Sequence, residues 1–337
     1  MIKYLGSKRV LLPWILETIG ALPDVDTVVD LFSGTSRVGY ALKSLGKRVL
    51  ANDHNAYAET LARCYVQSDA EEWTDTAERL IADLDALPGR PGWFTDAYCV
   101  QSRFFRPENG ARVDAIRDAI AALSLAPELE AIALTSLMEA ADRVDSTTGV
   151  QMAYLKDYAP RAANSLHLRV PTLLPRARAG RAEAFRMDAV AAAPALAGDL
   201  LYLDPPYNQH KYLGNYHIWE SLVRWDHPEL YGVARKRVDC RTRSSAFNSR
   251  TRIYDALRQI VLSTPCPRLL VSFSDEGFVS RQQMETLLST RGRVTVLEQP
   301  HRRYVGAQIG IYNPKGEKVG KVGHLENREY LYLVTPE

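Results

Sequence analysis

The sequence predicts an α/β fold: a mostly parallel sheet with crossover helices, an antiparallel closing hairpin and a helical insertion. Three observations carry this. Residues 27–32 form a short apolar run that enters a small-residue turn and a helical pattern, and 47–51 follow as a second apolar run, which together make one βαβ unit. Two further isolated apolar runs, 200–203 and 269–273, have the length of buried strands. Between 56 and 170 no strand-like run occurs, and Ala-rich helical periodicity takes its place.

Taken in order, the first crossover helix spans about 37–45 and stops at Gly46, a residue suited to a left-handed C-terminal cap. The crossover is expected to be right-handed. Helical periodicity then covers roughly 56–68, 71–87, 111–124 and 127–143, broken by the Pro/Gly-rich stretch 87–92. Strands resume near 183–187, and 294–297 with 330–334 read as the closing antiparallel pair. The expected organisation is a discontinuous catalytic domain, 1–55 and 171–337, with a mostly helical insertion at 56–170 and a basic loop at 231–252.

Composition narrows the class. With 337 residues, 46% hydrophobic and 24% charged, the chain can bury a sizeable core and is not disordered. Forty-two Lys+Arg against 40 Asp+Glu leave a net charge of +2, so a polyanion must be held by a local patch. Cys64, Cys99, Cys240 and Cys266 contain no close pair, which speaks against a zinc knuckle, a redox CxxC or a disulfide framework. No uninterrupted apolar run of ~18 residues occurs, and the N-terminal run is broken by Pro13 and Glu17. The expectation is a soluble protein of a reducing compartment, with no metal site and no membrane association.

Residues 30–39, Asp-Leu-Phe-Ser-Gly-Thr-Ser-Arg-Val-Gly, place small residues where a strand meets a helix N-terminus. Such a turn is either plain tight geometry or a cradle in which a ligand approaches exposed amides. A phosphate loop is excluded because Tyr40-Ala41 stands where Lys-Ser/Thr is needed, and the dinucleotide pattern fails because Ser36 replaces its second glycine. Asp53 ends the second strand and is placed to accept hydrogen bonds from ribose hydroxyls; as part of Asn52-Asp53 before a helix it equally suits an N-cap.

The most specific signal is 200–208, Leu-Leu-Tyr-Leu-Asp-Pro-Pro-Tyr-Asn. A buried strand runs into two prolines, which end ladder donation and fix the backbone. This presents the Asp204 carboxylate, the Pro205 carbonyl, rigid Pro206 and the Tyr207 ring at the carboxyl edge of the sheet, where open α/β folds bind ligands. Two adjacent acceptors suit an NH₂ group, and an aromatic face suits a planar ring. Together they describe a receptor for the amino group of a nucleobase.

Lys3-Tyr-Leu-Gly-Ser-Lys8, Asp30-Leu-Phe-Ser-Gly-Thr-Ser36, Asn52-Asp53 and Asp204-Pro-Pro-Tyr207, in this order, resemble the Dam-like, α-class amino-group DNA methyltransferases. The longer run to Tyr212, followed by Asn215-Tyr-His217, is more similar to the restriction-modification branch. The resemblance implies a Rossmann-like methyltransferase sheet, S-adenosylmethionine as cofactor, and methylation of the adenine amino group in duplex DNA by base flipping. It further implies that 56–170 serves target recognition. By the same resemblance Asp30, Phe32 and Gly34 line the methionine end of the cofactor, Asp53 takes the ribose, Asp188 meets the adenine amino group, and Tyr4 and Lys8 close over the cofactor. Ser36 departs from the family's glycine; a serine is tolerated there if its φ is negative, and the departure bears on the close backbone approach.

For DNA contact the sequence offers Arg235, Lys236, Arg237, Arg241, Arg243 and Arg250, opposed within that run only by Asp239, with Asn248 as a base-edge reader. The alternative is a solvated loop. Arg302 and Arg303 form a second basic candidate, and Lys3 joins by resemblance alone. Cys240, inside the basic run, is a candidate for a depressed thiol pKa. The expected partner is double-stranded DNA, with a cognate restriction endonuclease implied but no stable complex; a monomer suffices, in the cytoplasm at the nucleoid. Competing readings are methylation of the cytosine amino group, methylation of guanine in ribosomal RNA, and a catalytically silent DNA-binding module.

Overall fold

The computed structural model describes residues 1–6, 8–209, 211–302, 311–312, 318–320 and 326–336. Strands β1 (Thr27–Asp30), β2 (Arg48–Asn52), β3 (Glu183–Phe185), β4 (Leu200–Leu203), β5 (Arg268–Ser274), β6 (Arg293–Arg302) and β7 (Glu326–Thr335) form one sheet in the order β3-β2-β1-β4-β5-β7-β6. Only β7 runs antiparallel to its neighbours in this sheet. The expected mostly parallel Rossmann-like sheet with its antiparallel closing pair is what forms.

The central strands are apolar on both faces because helices cover both. Along β1, Val29 joins one apolar cluster and Val28 the other; along β4, Leu201 and Leu203 face one side while Leu200 and Tyr202 face the opposite one. This is the period-2 alternation of a strand. One face packs α7 (Ala189–Ala195), α9 (Ile253–Ser263) and α10 (Arg281–Leu288); the other packs α1 (Leu12–Gly20) and α2 (Arg37–Ser44).

A third apolar cluster gathers α3 (Ala56–Ala62), α4 (Ala70–Asp85), α5 (Pro107–Ala122) and α6 (Pro127–Val144). It also takes in α8 (His217–Arg224), through Ile218, Trp219 and Leu222, so the helical segment is keyed to the sheet-forming part of the chain by a helix from beyond β4. Arg117 Nε donates to the Leu222 carbonyl at 2.9 Å across that junction. The Pro/Gly-rich break at 87–92 leads into a turn held by buried Asp114, whose carboxylate accepts from the amides of Gly92, Phe94 and Thr95 at 2.8–2.9 Å. The helix expected over 56–68 is α-helical only to Ala62; Arg63–Gln67 widen it, with the Ser68 amide reaching back to the Arg63 carbonyl.

The strand order sets the site. After β1 the chain moves outward to β2 and β3, then returns to place β4 on the opposite side of β1. At such a switch point the loops leaving the two strands part in opposite directions and open a crevice at their carboxyl ends. Asp30 is the last residue of β1, and Asp204 follows the last residue of β4.

Candidate active site

The crevice is a cavity whose wall includes Asp30, Gly34, Asp53, Asp188, Asp204 and Tyr212. The glycine turn shapes its floor. Gly34 (φ 52°) and Ser36 (φ 59°) are both left-handed, and the Ser36 amide closes on the Ser33 carbonyl at 2.6 Å. The condition under which a serine is easily tolerated here, a negative φ, is not met. The tight turn demands the glycine-like conformation, at a cost of about 1–2 kcal/mol for a residue with a Cβ. Ser33, Gly34 and Thr35 of the turn line the cavity at the start of α2.

Asp53 is not itself the cap of α3, whose N-cap is Asn55, but it holds the chain on either side of the crevice. Its Oδ2 accepts from the Gly34 amide at 3.0 Å and its Oδ1 from the Asn55 amide at 2.9 Å, entering α3, while the side chain stands on the cavity wall. Asp188 caps α7 by accepting from the Val190 amide at 2.9 Å and lines the same cavity. Phe32 packs edge-on against Phe247, centroids 4.9 Å apart.

Asp30 is buried, and neither carboxylate oxygen has a well-formed hydrogen bond among the described residues, although the amides of Gly39 and Phe32 lie close enough to act on it. Burial first, then the nearby charges of Asp204 and Asp53, push its pKa up to about 8, with the amides of Gly39 and Phe32 only partly opposing them. A carboxylate in that state seeks a cation.

Asp204 has one. Lys8 Nζ lies 3.0 Å from Asp204 Oδ1 and 3.8 Å from Glu329 Oε2. Burial raises the Asp204 pKa, and Lys8 counteracts it. Lys8 lines the cavity, and its ammonium is paired with the carboxylate of the Asp-Pro-Pro-Tyr corner. Tyr4 behaves otherwise: its ring lies against Gly34 and stacks between Tyr212 (5.3 Å, 9°) and Tyr216 (4.5 Å, 15°).

Pro206 lies on the cavity wall and Pro205 is buried behind it. The Tyr207 ring is half-buried beside the wall, set edge-on to Phe273 at 5.7 Å, and its carbonyl accepts from the Phe278 amide. Tyr212 is among the aromatic rings on the wall itself, with Tyr4, Phe32, Tyr202 and Phe247, and was not singled out from the sequence although it lies in the run that follows the proline corner. Arg243, Ser244, Ser245 and Phe247 were likewise missed as wall residues, because nothing local in a basic loop says that it folds back over the crevice.

The basic candidates divide. Arg237 is 1% exposed, with Nη1 and Nη2 on Asp226 at 2.7 and 2.8 Å and Nε on Asp239. It is a buried structural pair and not a phosphate contact. Arg243 pairs with buried Glu220 at 3.1 Å and donates to the His54 carbonyl, tying the loop to the start of α3. Lys3 is held by Asp145 at 2.8 Å and by the Asp142 carbonyl. Asp226, Glu220, Asp142 and Asp145 all lie outside the 231–252 run, and only Asp239 lies within it. Asn248 donates to the Asn208 carbonyl at 2.8 Å. Arg235 and Lys236 are half-buried in a hairpin beside Tyr154. Arg241 and Arg250 are exposed, stacked over Tyr231 and Phe278 at 3.8 and 5.3 Å. Arg302 ends β6, its side chain outside the described residues, and Arg303 lies outside them altogether. Cys240 is not activated: burial first, then Asp239, push its thiol up to about 11.

A seven-stranded sheet with one antiparallel strand, a glycine turn after β1 and a proline-locked acid after β4 define a Rossmann-like methyltransferase. The sequence comparison carries this further. The chain belongs to the D12 class N6 adenine-specific DNA methyltransferase family, whose profile matches residues 4–283. It is 29% identical to the type II methyltransferase M.NlaIII of Neisseria lactamica, over 98% of this chain and 97% of that enzyme. It is 28% identical to the type II methyltransferase M.FokI of Planomicrobium okeanokoites and 26% identical to the modification methylase StsI of Streptococcus sanguinis; each match covers at least 90% of this chain but 49% of the relative. The enzyme is thus an adenine-specific DNA methyltransferase, which removes the cytosine, ribosomal RNA and silent-module readings. No helix of the described residues is long and apolar enough to cross a membrane.

Proposed function

We propose that the protein transfers the methyl group of S-adenosylmethionine to N6 of an adenine flipped out of duplex DNA, as the modification enzyme of a type II restriction-modification system. The observation that carries this is the convergence of Asp30 and Asp204 on one cavity, with the glycine turn between them.

The residues fit the cofactor. The Asp30 carboxylate, with no well-formed hydrogen bond among the described residues, matches an α-ammonium group, and Asp53 matches ribose hydroxyls. A Cβ at Gly34 would meet the Tyr4 ring at 3.6 Å in a left-handed conformation, so the bare backbone keeps the approach open. Phe32 and Phe247 offer an apolar flank, and Asp188 an acceptor at the far end. When bound, the cofactor supplies a methyl already activated by positive sulfur.

The protein's part is to extrude and aim the base. Flipping costs a few kcal/mol, offset by stacking worth roughly 1–3 kcal/mol on an aromatic ring. Tyr207 takes that role, with Tyr212 beside it. Asp204 and the Pro205 carbonyl accept the two amino protons, which turns the nitrogen lone pair toward the methyl. Residues 1–55 and 171–337 act as the catalytic domain and 56–170 as the target-recognition domain, with exposed Arg241 and Arg250 on phosphates. A monomer suffices in the cytoplasm, and any endonuclease acts separately on the same site.

The test is Asp204→Ala. Methylation read as N6-methyladenine in plasmid DNA is expected to fall to background, while cofactor binding measured by calorimetry without DNA stays within about threefold of wild type. Wild-type methylation by this variant rejects the assignment.

A further inference from the structure

An acceptor for an amino group needs one carboxylate, yet the corner at Asp204 holds a pair of carboxylates around one ammonium. Glu329 lies on β7, opposite Ser274 on β5 and Gln299 on β6, and is 4% exposed. Its Oε2 is 3.8 Å from Lys8 Nζ, which at the same time is 3.0 Å from Asp204 Oδ1. Among the described residues, the other titratable groups here are Tyr212 beside Lys8, Tyr202 and Tyr207 beside both acids, and Asp30 beside Asp204. Burial alone would lower the Lys8 pKa; Asp204 first and Glu329 next outweigh it and raise it.

The proposed function creates a conflict at this point. The adenine amino group and the Lys8 ammonium compete for Asp204, and the ammonium is the stronger donor. A buried cation that released Asp204 without another partner would be left as an uncompensated buried charge.

We propose that Glu329 is a positioning residue for methyl transfer: it is the second anchor of the Lys8 ammonium, so that Asp204 gives up part of its ion pair to adenine while Lys8 stays neutralised. Residue 329 lies far from every recognised motif, and only the insertion of β7 beside β5 brings it to the corner. The idea rests on the reading of Asp204 as the amino-group acceptor.

The test is Glu329→Gln, which keeps the shape and removes the charge. Cofactor binding without DNA is expected within twofold of wild type, and kcat lower by about tenfold, equivalent to ~1.4 kcal/mol of transition-state stabilisation. With one anchor lost, Lys8 deprotonates more easily, so the alkaline limb of kcat against pH moves to lower pH. Glu329→Asp is expected to restore that limb, and it also serves if the Gln variant folds poorly. In a Lys8→Met background Glu329→Gln is expected to cost nothing further. An unmoved alkaline limb, or an equal loss with and without Lys8, overturns the proposal. If Asp204→Ala is inactive while Glu329→Gln behaves as wild type, this inference fails alone; if Asp204→Ala is active, the reading of the site fails first.

Discussion

Asp30 offers the sharpest test of how the site is held ready at the expense of the fold. Its carboxyl rises from 3.8 to about 8 in the folded protein, through burial and the neighbouring Asp204 and Asp53. Between those values the folded state holds a proton that the unfolded state has lost. The contribution to stability is therefore present at acid pH, is lost as pH rises toward 8, and is flat above it. At ~1.36 kcal/mol per unit the whole rise corresponds to about 6 kcal/mol, of which ~2 kcal/mol or more is expected to survive water entering the open crevice. Asp30→Asn has nearly the same shape and no charge to bury. In urea unfolding without cofactor, the variant is expected to gain on wild type steadily from pH 5 to pH 8. Calorimetry at pH 8 is expected to show cofactor binding weakened at least tenfold, because the partner of its ammonium is gone. A variant less stable than wild type at pH 8, or a gap that does not change with pH, refutes the argument that Asp30 is an uncompensated buried acid.

Two further outcomes follow from the basic loop. Arg243→Ala strands the buried carboxylate of Glu220, so a loss of ~2–3 kcal/mol is expected in thermal or urea unfolding, together with weaker cofactor binding as the 243–248 wall loosens. Unchanged stability would remove the strut. Replacing Arg241 and Arg250 by Ala together is expected to leave folding intact and to make the slope of log affinity for DNA against log salt shallower by about 1–2. An identical slope would take both from the interface.

Much of the fold was legible because it is written locally. Apolar runs bounded by turn residues located β1, β2, β4 and β5, and the closing pair showed as two late strand runs. The acids at 30, 53 and 204 each end or follow a strand, so their place at the carboxyl edge followed from the strand assignments. Asp53 shows the limit of such reading: its bond from the Asn55 amide is local, whereas its bond from the Gly34 amide, 19 residues away, depends on the pairing of β1 with β2. The left-handed Ser36 was not legible because its φ is imposed by closure of the turn onto Ser33 and not by the serine itself.

The amino-acid sequence by itself determined which residues end the central strands and which corner is locked by proline, since periodicity, turn chemistry and ring constraints act within a few residues. The tertiary structure decided which charges remain available. Arg237 is consumed by Asp226 and Asp239, Arg243 by Glu220, and Lys8 is shared between Asp204 and Glu329. Lys8 meets acids far along the chain because β4 and β7 both pair with β5, and ionic partners at close range are set by that strand order and not by sequence spacing.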